Sequence, residues 1–266
     1  MSPVAQLRSP ITTARHQDSQ PKSKSASTLK RIAALVFWLL VWQLVAMVIG
    51  QQFLLASPAQ VFQALLRLAP TLEFWQTIAT TALRIIGGFL IGITTGALLA
   101  YAAHLSSWAA AIIQLPMRVM RSVPVVSFVI LLLLLAGATG LTITIAALIV
   151  VPIAFANVQT GLTQQDAELA DVAKVFNASK WQTFQAVTWP AVMPFLAAAA
   201  QSGFGLAWKA GISAEVIGIP RGSIGAHMYQ ARLTLATDDV LAWTVVIVAL
   251  AWLSERLLNH LFKPLS

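Results

Sequence analysis

DVAKVFNASKWQTFQAVTWP, residues 171 to 190, is a polar, faintly patterned interval in a chain otherwise dominated by Ala, Leu, Ile and Val. Upstream of Asn177, the residues Leu169, Val172, Ala173 and Phe176 recur at i, i+3, i+4 and i+7, while Glu168, Asp171 and Lys174 fall off that stripe. This spacing predicts a short amphipathic helix. Asn177 stands where the helix should stop, and Asn is the usual substitute for Gly in the left-handed conformation that ends helices. Ser179 can then cap a new helix, with Gln182 three residues on completing a capping box. The second helix carries Trp181, Phe184 and Val187 along one side before Pro190. Helix, sharp turn, helix is the expected shape.

The surroundings set the class. Of 266 residues, 58% are hydrophobic and 10% charged, with a mean hydropathy of +0.78; soluble domains carry about 25% charged residues. Runs such as IAALVFWLLVWQLVAMVIG (residues 32–50) are long enough to cross a hydrocarbon core about 30 Å thick. The expected fold class is an all-α membrane protein of about six transmembrane helices, roughly Ile32–Gly50, Trp75–Ala103, Ser122–Thr139, Leu141–Thr160, Ala191–Gly218 and Val240–Leu258. Residues 1–30, rich in Ser, Gln, Pro and basic side chains, read as a disordered cytoplasmic tail, and 31–266 as one membrane domain. The opening polar interval then lies in a loop, about 161–190, between spans four and five. The chain has no cysteine, which excludes disulfides and thiolate metal sites.

The net charge of +8 raises nucleic acid as a partner, but its placement removes the need. With the N-terminus in the cytoplasm, Arg8, Arg15, Lys22, Lys24, Lys30, Arg31, Arg118, Arg121, Lys174, Lys180, Arg256 and Lys263 all fall on the cytoplasmic side. Arg67, Arg221 and Arg232 fall on the other, and Arg84 and Lys209 inside spans. This asymmetry satisfies the positive-inside rule, with both termini cytoplasmic.

Within the second span Gly88, Gly92 and Gly96 share one helical face and would let another backbone approach closely. Pro116, Pro124 and Pro152 predict kinks or breaks. Charges inside spans are costly and invite a functional reading. Arg84 and Glu215 fall at similar depths in the outer half and are expected to form a buried pair. Lys209 has only Ile212 and Ser213 at i+3 and i+4, so it stands as a cation without an intrahelical partner, suited to an anion on a water-filled path or to snorkelling.

The interval that opened this reading resembles the cytoplasmic signature of bacterial ABC importer permeases, E-A-A-x-x-x-G, nine residues, I-x-L-P. The frame fits without a gap as Asp171, Val172, Ala173, three residues, Asn177, nine residues, Val187, Thr188, Trp189, Pro190, with Ala173 and Pro190 identical to it. SPAQVFQAL, LRIIGGF, RSVP and WKAGISAEVIGIPRGSIG, in that order, are similar to the nitrate, sulfonate and taurine branch of that family. The resemblance implies the type I importer permease fold in the bacterial inner membrane. It implies a second permease copy, separate ATPase subunits that use ATP and Mg, and an extracytoplasmic solute-binding protein. This chain would bind no cofactor of its own, consistent with its lack of a G-x-x-x-x-G-K-[ST] loop. On that resemblance Leu169, Ala173, Phe176 and Phe184 would give apolar contact to the ATPase, Asp171 and Lys174 a polar rim, and Asn177 the turn. Arg84, Lys209, Ser213 and Glu215 would be path or buried-charge residues, for a small solute that Lys209 mildly favours as anionic.

Three other readings compete. A secondary transporter driven by an ion gradient would use intramembrane charges, but it would normally show inverted repeats, and no convincing repeat is seen. The polar interval could also simply lie in the membrane interface. A membrane enzyme fits poorly, since His16, His104, His227 and His260 are scattered and neither H-E-x-x-H nor G-x-S-x-G occurs. His227 reads as a solvated loop residue.

Overall fold

The computed structural model describes residues 24–262, apart from the side chains at 24–28, 31, 167, 170, 174, 259, 261 and 262. Regular structure among the described residues is entirely helical. The chain divides into two units, Met1–Val45 and Ala46–Ser266. Helix α1 (Lys24–Ile49) supplies what is described of the first, and its Ile32–Ile49 segment is long and apolar enough to cross a membrane. It begins at Lys24, inside the stretch read from sequence as a tail; residues 1–23 of that tail lie outside the described residues.

In the second unit α2 (Pro58–Leu68) is opened by a capping box between Ser57 and Gln60 and leads into α3 (Leu72–Leu105). Helices α4 (Ser107–Ser122) and α5 (Val125–Ala136) follow, then α6 (Leu141–Thr163). Short α7 (Ala167–Val175), α8 (Lys180–Thr183) and one π turn, Phe184–Thr188, connect to α9 (Trp189–Gly218), and α10 (Ile224–Leu233) and α11 (Thr237–Phe262) end the chain.

Glycines set how α3, α6 and α9 meet. A Cβ on Gly88 would stand 2.7 Å from the Cβ of Ala146, one on Gly92 2.6 Å from that of Val150, and one on Gly96 2.6 Å from that of Ala154. The residue numbers rise together, so α3 and α6 run parallel. Gly161 lies against Val192, Gly203 against Val150, and Gly211 near Thr142, so α9 runs antiparallel to α6. Between lipid-solvated helices there is little hydrophobic drive, and close backbone approach gains its energy from dispersion contacts. Helix α6 is therefore the central member, with Ile145, Ala146, Val150 and Ala154 fully buried. Phe89 of α3 meets Phe204 of α9 edge to face at 4.8 Å, beside buried Trp208.

Two parallel helices need a return crossing, and sequence places it at a third span over Ser122–Thr139 with a kink or break at Pro124. The break is present, but the return is longer than that span: it is the pair α4 and α5, bent by 105°. Pro124 causes the break: Val123 before it is extended (φ −82, ψ 130), as the steric demand of a following proline requires. Helices α4 and α6 continue through Pro116 and Pro152. Among the described residues five helical segments are long and apolar enough to cross a membrane, six if the bent pair counts as one crossing.

Candidate functional site

At the end of the bundle where α6 stops and α9 begins, the α7–α8 loop forms its own small structure. Asn177 ends α7 with φ +50, and the N–H of Ala178 donates to the carbonyl of Ala173 at 2.9 Å, the six-to-one bond of a Schellman turn. Two residues on, the Ser179 N–H donates to Gln182 Oε1 at 2.8 Å and the Gln182 N–H to Ser179 Oγ at 3.3 Å. Both orphan donors of the new helix are thus satisfied locally. The shape of the loop owes little to the bundle.

Its apolar face lies open. Phe176 is 79% and Val175 78% exposed, and Leu169 and Val172 are also exposed, with Ala173 half-buried and Asp171 exposed beside them. The backbone of Lys174 lies in α7, and its side chain is outside the described residues. Phe184 departs from the expectation of an outward contact. It stacks on Trp181 at 5.7 Å and meets Trp189 and Tyr101 at 6.1 and 6.3 Å, facing the bundle.

At the opposite end, Glu215 of α9 is fully buried and acts as a hub. Thr81 Oγ1 of α3 donates to Oε2 at 3.0 Å, Thr142 Oγ1 of α6 to Oε1 at 3.3 Å, and the Gly225 N–H of α10 to Oε2 at 3.3 Å. Thr81 in turn accepts from the Ile224 N–H at 3.0 Å. The expected Arg84–Glu215 pair is not formed: among the described residues no ion pair joins them. Arg84 Nη2 donates instead to the carbonyl of Arg221 at 3.2 Å, while its buried Nη1 has no partner among the described residues. Threonine hydroxyls and a backbone N–H occupy the places sequence assigned to the guanidinium. Periodicity gives no sign of them, since Thr is unremarkable in an apolar span.

The other face of α9 is exposed and sets polar side chains among the exposed Leu206 and Ile217. Lys209 and Ser213 lie on it one turn apart, Ser213 Oγ donating to the Lys209 carbonyl at 2.8 Å, with Gln201 and Ser202 exposed further along. A polar stripe in a membrane helix faces protein or water rather than lipid.

Sequence places Arg118 and Arg121 at the cytoplasmic edge of a third span. The bend at Pro124 puts α4 alongside α6 instead, and Arg121 Nη2 donates to the carbonyl of Pro152 at 2.7 Å. Pro152 stands eleven residues before the end of α6, about 16 Å at 1.5 Å per residue. Both arginines line a cavity of about 440 Å³ between α4 and α6.

Beyond the Glu215 hub a second, polar cavity of about 610 Å³ is lined by Gln76, Thr80, Arg221, His227 and Gln230. His227 lies in α10 rather than in a solvated loop. Its ring stacks on Trp243 at 5.3 Å, and Nε2 lies 3.2 Å from Thr77 Oγ1 and 3.7 Å from Glu73.

Parallel α3 and α6, antiparallel α9 and a capped loop between α6 and α9 together define a helical transport subunit. Residues 88–263 match the family described as the binding-protein-dependent transport system inner membrane component, and the chain belongs to it. It is 28% identical over 243 residues to the "Taurine transport system permease protein TauC" of Escherichia coli (strain K12), covering 88% of each chain. It is 29% identical over 217 residues to the "Putative aliphatic sulfonates transport permease protein SsuC" of the same strain, covering 81% of this chain and 82% of that one. Among solved structures, an inward-facing form of the MetNI methionine ABC transporter aligns with a TM-score of 0.56 and 19% identity, over 72% of this chain and 94% of that one. The fold is the type I ABC importer permease fold. The chain is a multi-pass membrane protein and the permease subunit of an ATP-driven importer, which decides against the secondary-transporter reading.

Proposed function

We propose that this permease pairs with a second copy of itself, docks separate ATP-hydrolysing subunits on its α7–α8 loop, and takes up a small anionic solute of the sulfonate type from an extracytoplasmic binding protein. The loop face is then cytoplasmic, as are both termini, and the polar cavity near His227 faces the binding protein. ATP and Mg belong to the partner. Support for the solute class comes from the taurine and sulfonate relatives and from the cationic Lys209 on the polar stripe of α9. Lys209 and Ser213 line the path between the two copies, whereas Glu215 and Arg84 hold its outer wall.

One observation carries the docking: four large apolar side chains, Leu169, Val172, Val175 and Phe176, are exposed on a loop whose shape is fixed by its own caps. A rigid helix with an open apolar face suits insertion into a groove. Leu169, Val172 and Phe176 supply the apolar contact, Asp171 and Lys174 the rim, and Asn177 the turn, while Phe184 anchors the loop to the bundle. Co-isolation of an ATPase with the tagged chain tests this. Phe176→Asp should remove the ATPase and ATP-dependent uptake while the chain still inserts in the membrane. Unchanged co-isolation and uptake would favour a helix that merely rests at the interface.

A further inference from the structure

The cavity between α4 and α6 contains an arrangement that the docking loop and the polar stripe of α9 leave unexplained. Arg118 and Arg121 stand one turn apart on α4, and Gln114 lies one turn before Arg118 on the same side. Across the cavity, α6 presents Gln159, Thr160 and Thr163. The two threonine hydroxyls are spent on backbone carbonyls, Thr160 on Ala156 and Thr163 on Thr160, each at 2.9 Å. The guanidinium of Arg118 and the amides of Gln114 and Gln159 make no hydrogen bond among the described residues, and Arg121 uses one nitrogen on Pro152. Among the described residues no carboxylate lines the cavity and no ion pair to either arginine occurs.

Depth makes this costly without a ligand. Arg121 is held level with Pro152, about 16 Å from the cytoplasmic end of α6, against a hydrocarbon half-thickness of about 15 Å. Two like charges one turn apart repel each other, and an uncompensated cation at this depth is unfavourable. The bond to Pro152 restrains the Arg121 side chain and orients its guanidinium. Four side chains with free donor groups, two of them cationic and none opposed by an acid, fit an anionic oxygen group of tetrahedral shape.

We propose that Gln114, Arg118, Arg121 and Gln159 form an anion-binding station in the inner half of the membrane, taking the sulfonate group of the transported solute before its release to the cytoplasm. This rests on the importer reading above and extends it, locating a second contact for the solute beyond Lys209. Membrane lipid carries the same anionic chemistry in its phosphate. A phosphate headgroup resides at the membrane surface, whereas Arg121 lies near the midplane, so the solute is the occupant.

The test uses the full chain isolated with its ATPase, titrated calorimetrically with ethanesulfonate and with uncharged ethanesulfonamide. Wild type should bind ethanesulfonate saturably and ethanesulfonamide not at all. Arg118→Gln and Arg121→Gln should each weaken ethanesulfonate binding by about tenfold or more, as loss of one charge-assisted contact predicts. The Arg118 guanidinium makes no hydrogen bond among the described residues, so its variant reports on the site even where Arg121→Gln proves unstable. Equal affinity in wild type and variants, equal binding of the sulfonamide, or no saturable binding by wild type would overturn the station. So would native mass spectrometry in which the variants lose phosphatidylglycerol while ethanesulfonate affinity is unchanged. Absence of any co-isolated ATPase would be a failure of the importer reading instead, and the two failures are read separately.

Discussion

The seam between α3 and α6 and the loop between α7 and α8 solve opposite problems. At the seam, Gly88, Gly92 and Gly96 have no side chain to spare, and α6 backbone or Cβ atoms occupy the space one would need. At the loop, Val175 and Phe176 leave almost four fifths of their surface uncovered by the described residues. The seam is specified by contact between distant segments and has no freedom left. The loop is specified by residues within a few positions of one another and keeps its surface available. The first is an unyielding wall; the second would serve as a handle on the proposed docking role.

The contrast predicts a ranking of effects. Substituting the seam should do most damage: Gly92→Leu forces α3 from α6 and should cost at the upper end of the roughly 1–3 kcal/mol typical of overpacking, or more, read as a large fall in thermal stability of the purified chain. Breaking the hub is next. Glu215→Ala strands the hydroxyls of Thr81 and Thr142 and the Gly225 N–H, at about 1–3 kcal/mol for an unsatisfied buried group, whereas Glu215→Gln, which keeps an acceptor, should melt closer to wild type. A Gln variant no more stable than the Ala variant would remove the hub from the seam side of the comparison.

Loop substitutions should spare stability and reduce coupling. Asn177→Pro and Asp171→Arg should lower transport and ATPase coupling without loss of membrane insertion, while Asn177→Gly, which adopts the same left-handed backbone, should retain coupling. Normal coupling in both Asn177→Pro and Asp171→Arg would sink the docking role of the loop. The smallest effect expected is from Ser179→Ala, which removes one cap worth about 0.5–2 kcal/mol and should show as faster amide exchange over residues 180–183 alone.

What could be seen in the sequence follows the same division. Local chemistry was legible: the Asn177 turn and the Ser179–Gln182 box are patterns of near neighbours, and each is present as read. Spans were legible where the apolar run is unbroken, as in α6. At the third crossing the break at Pro124 was legible but its size was not, because hydropathy records how apolar a run is and not its direction, and the chain turns there by 105°. The size of that bend sets α4 alongside α6, where Arg118 and Arg121 line a cavity. The Glu215 hub was half legible. A buried acid in an apolar span announces that it needs partners, but Thr81, Thr142 and Gly225 come from three other helices, and nothing in their spacing points to α9.

The π turn at Phe184–Thr188 sets the rotational phase of α9. Its closing bond runs from the Trp189 N–H to the Phe184 carbonyl, five residues rather than four. One additional residue shifts everything downstream by about 100° around the axis and about 1.5 Å along it. The angular relation between the aromatic anchor at Phe184 and the polar stripe at Lys209 is therefore set by the length of one turn, like the tooth count of a gear, and removing a single residue there would point Lys209 at a different neighbour while leaving both elements intact.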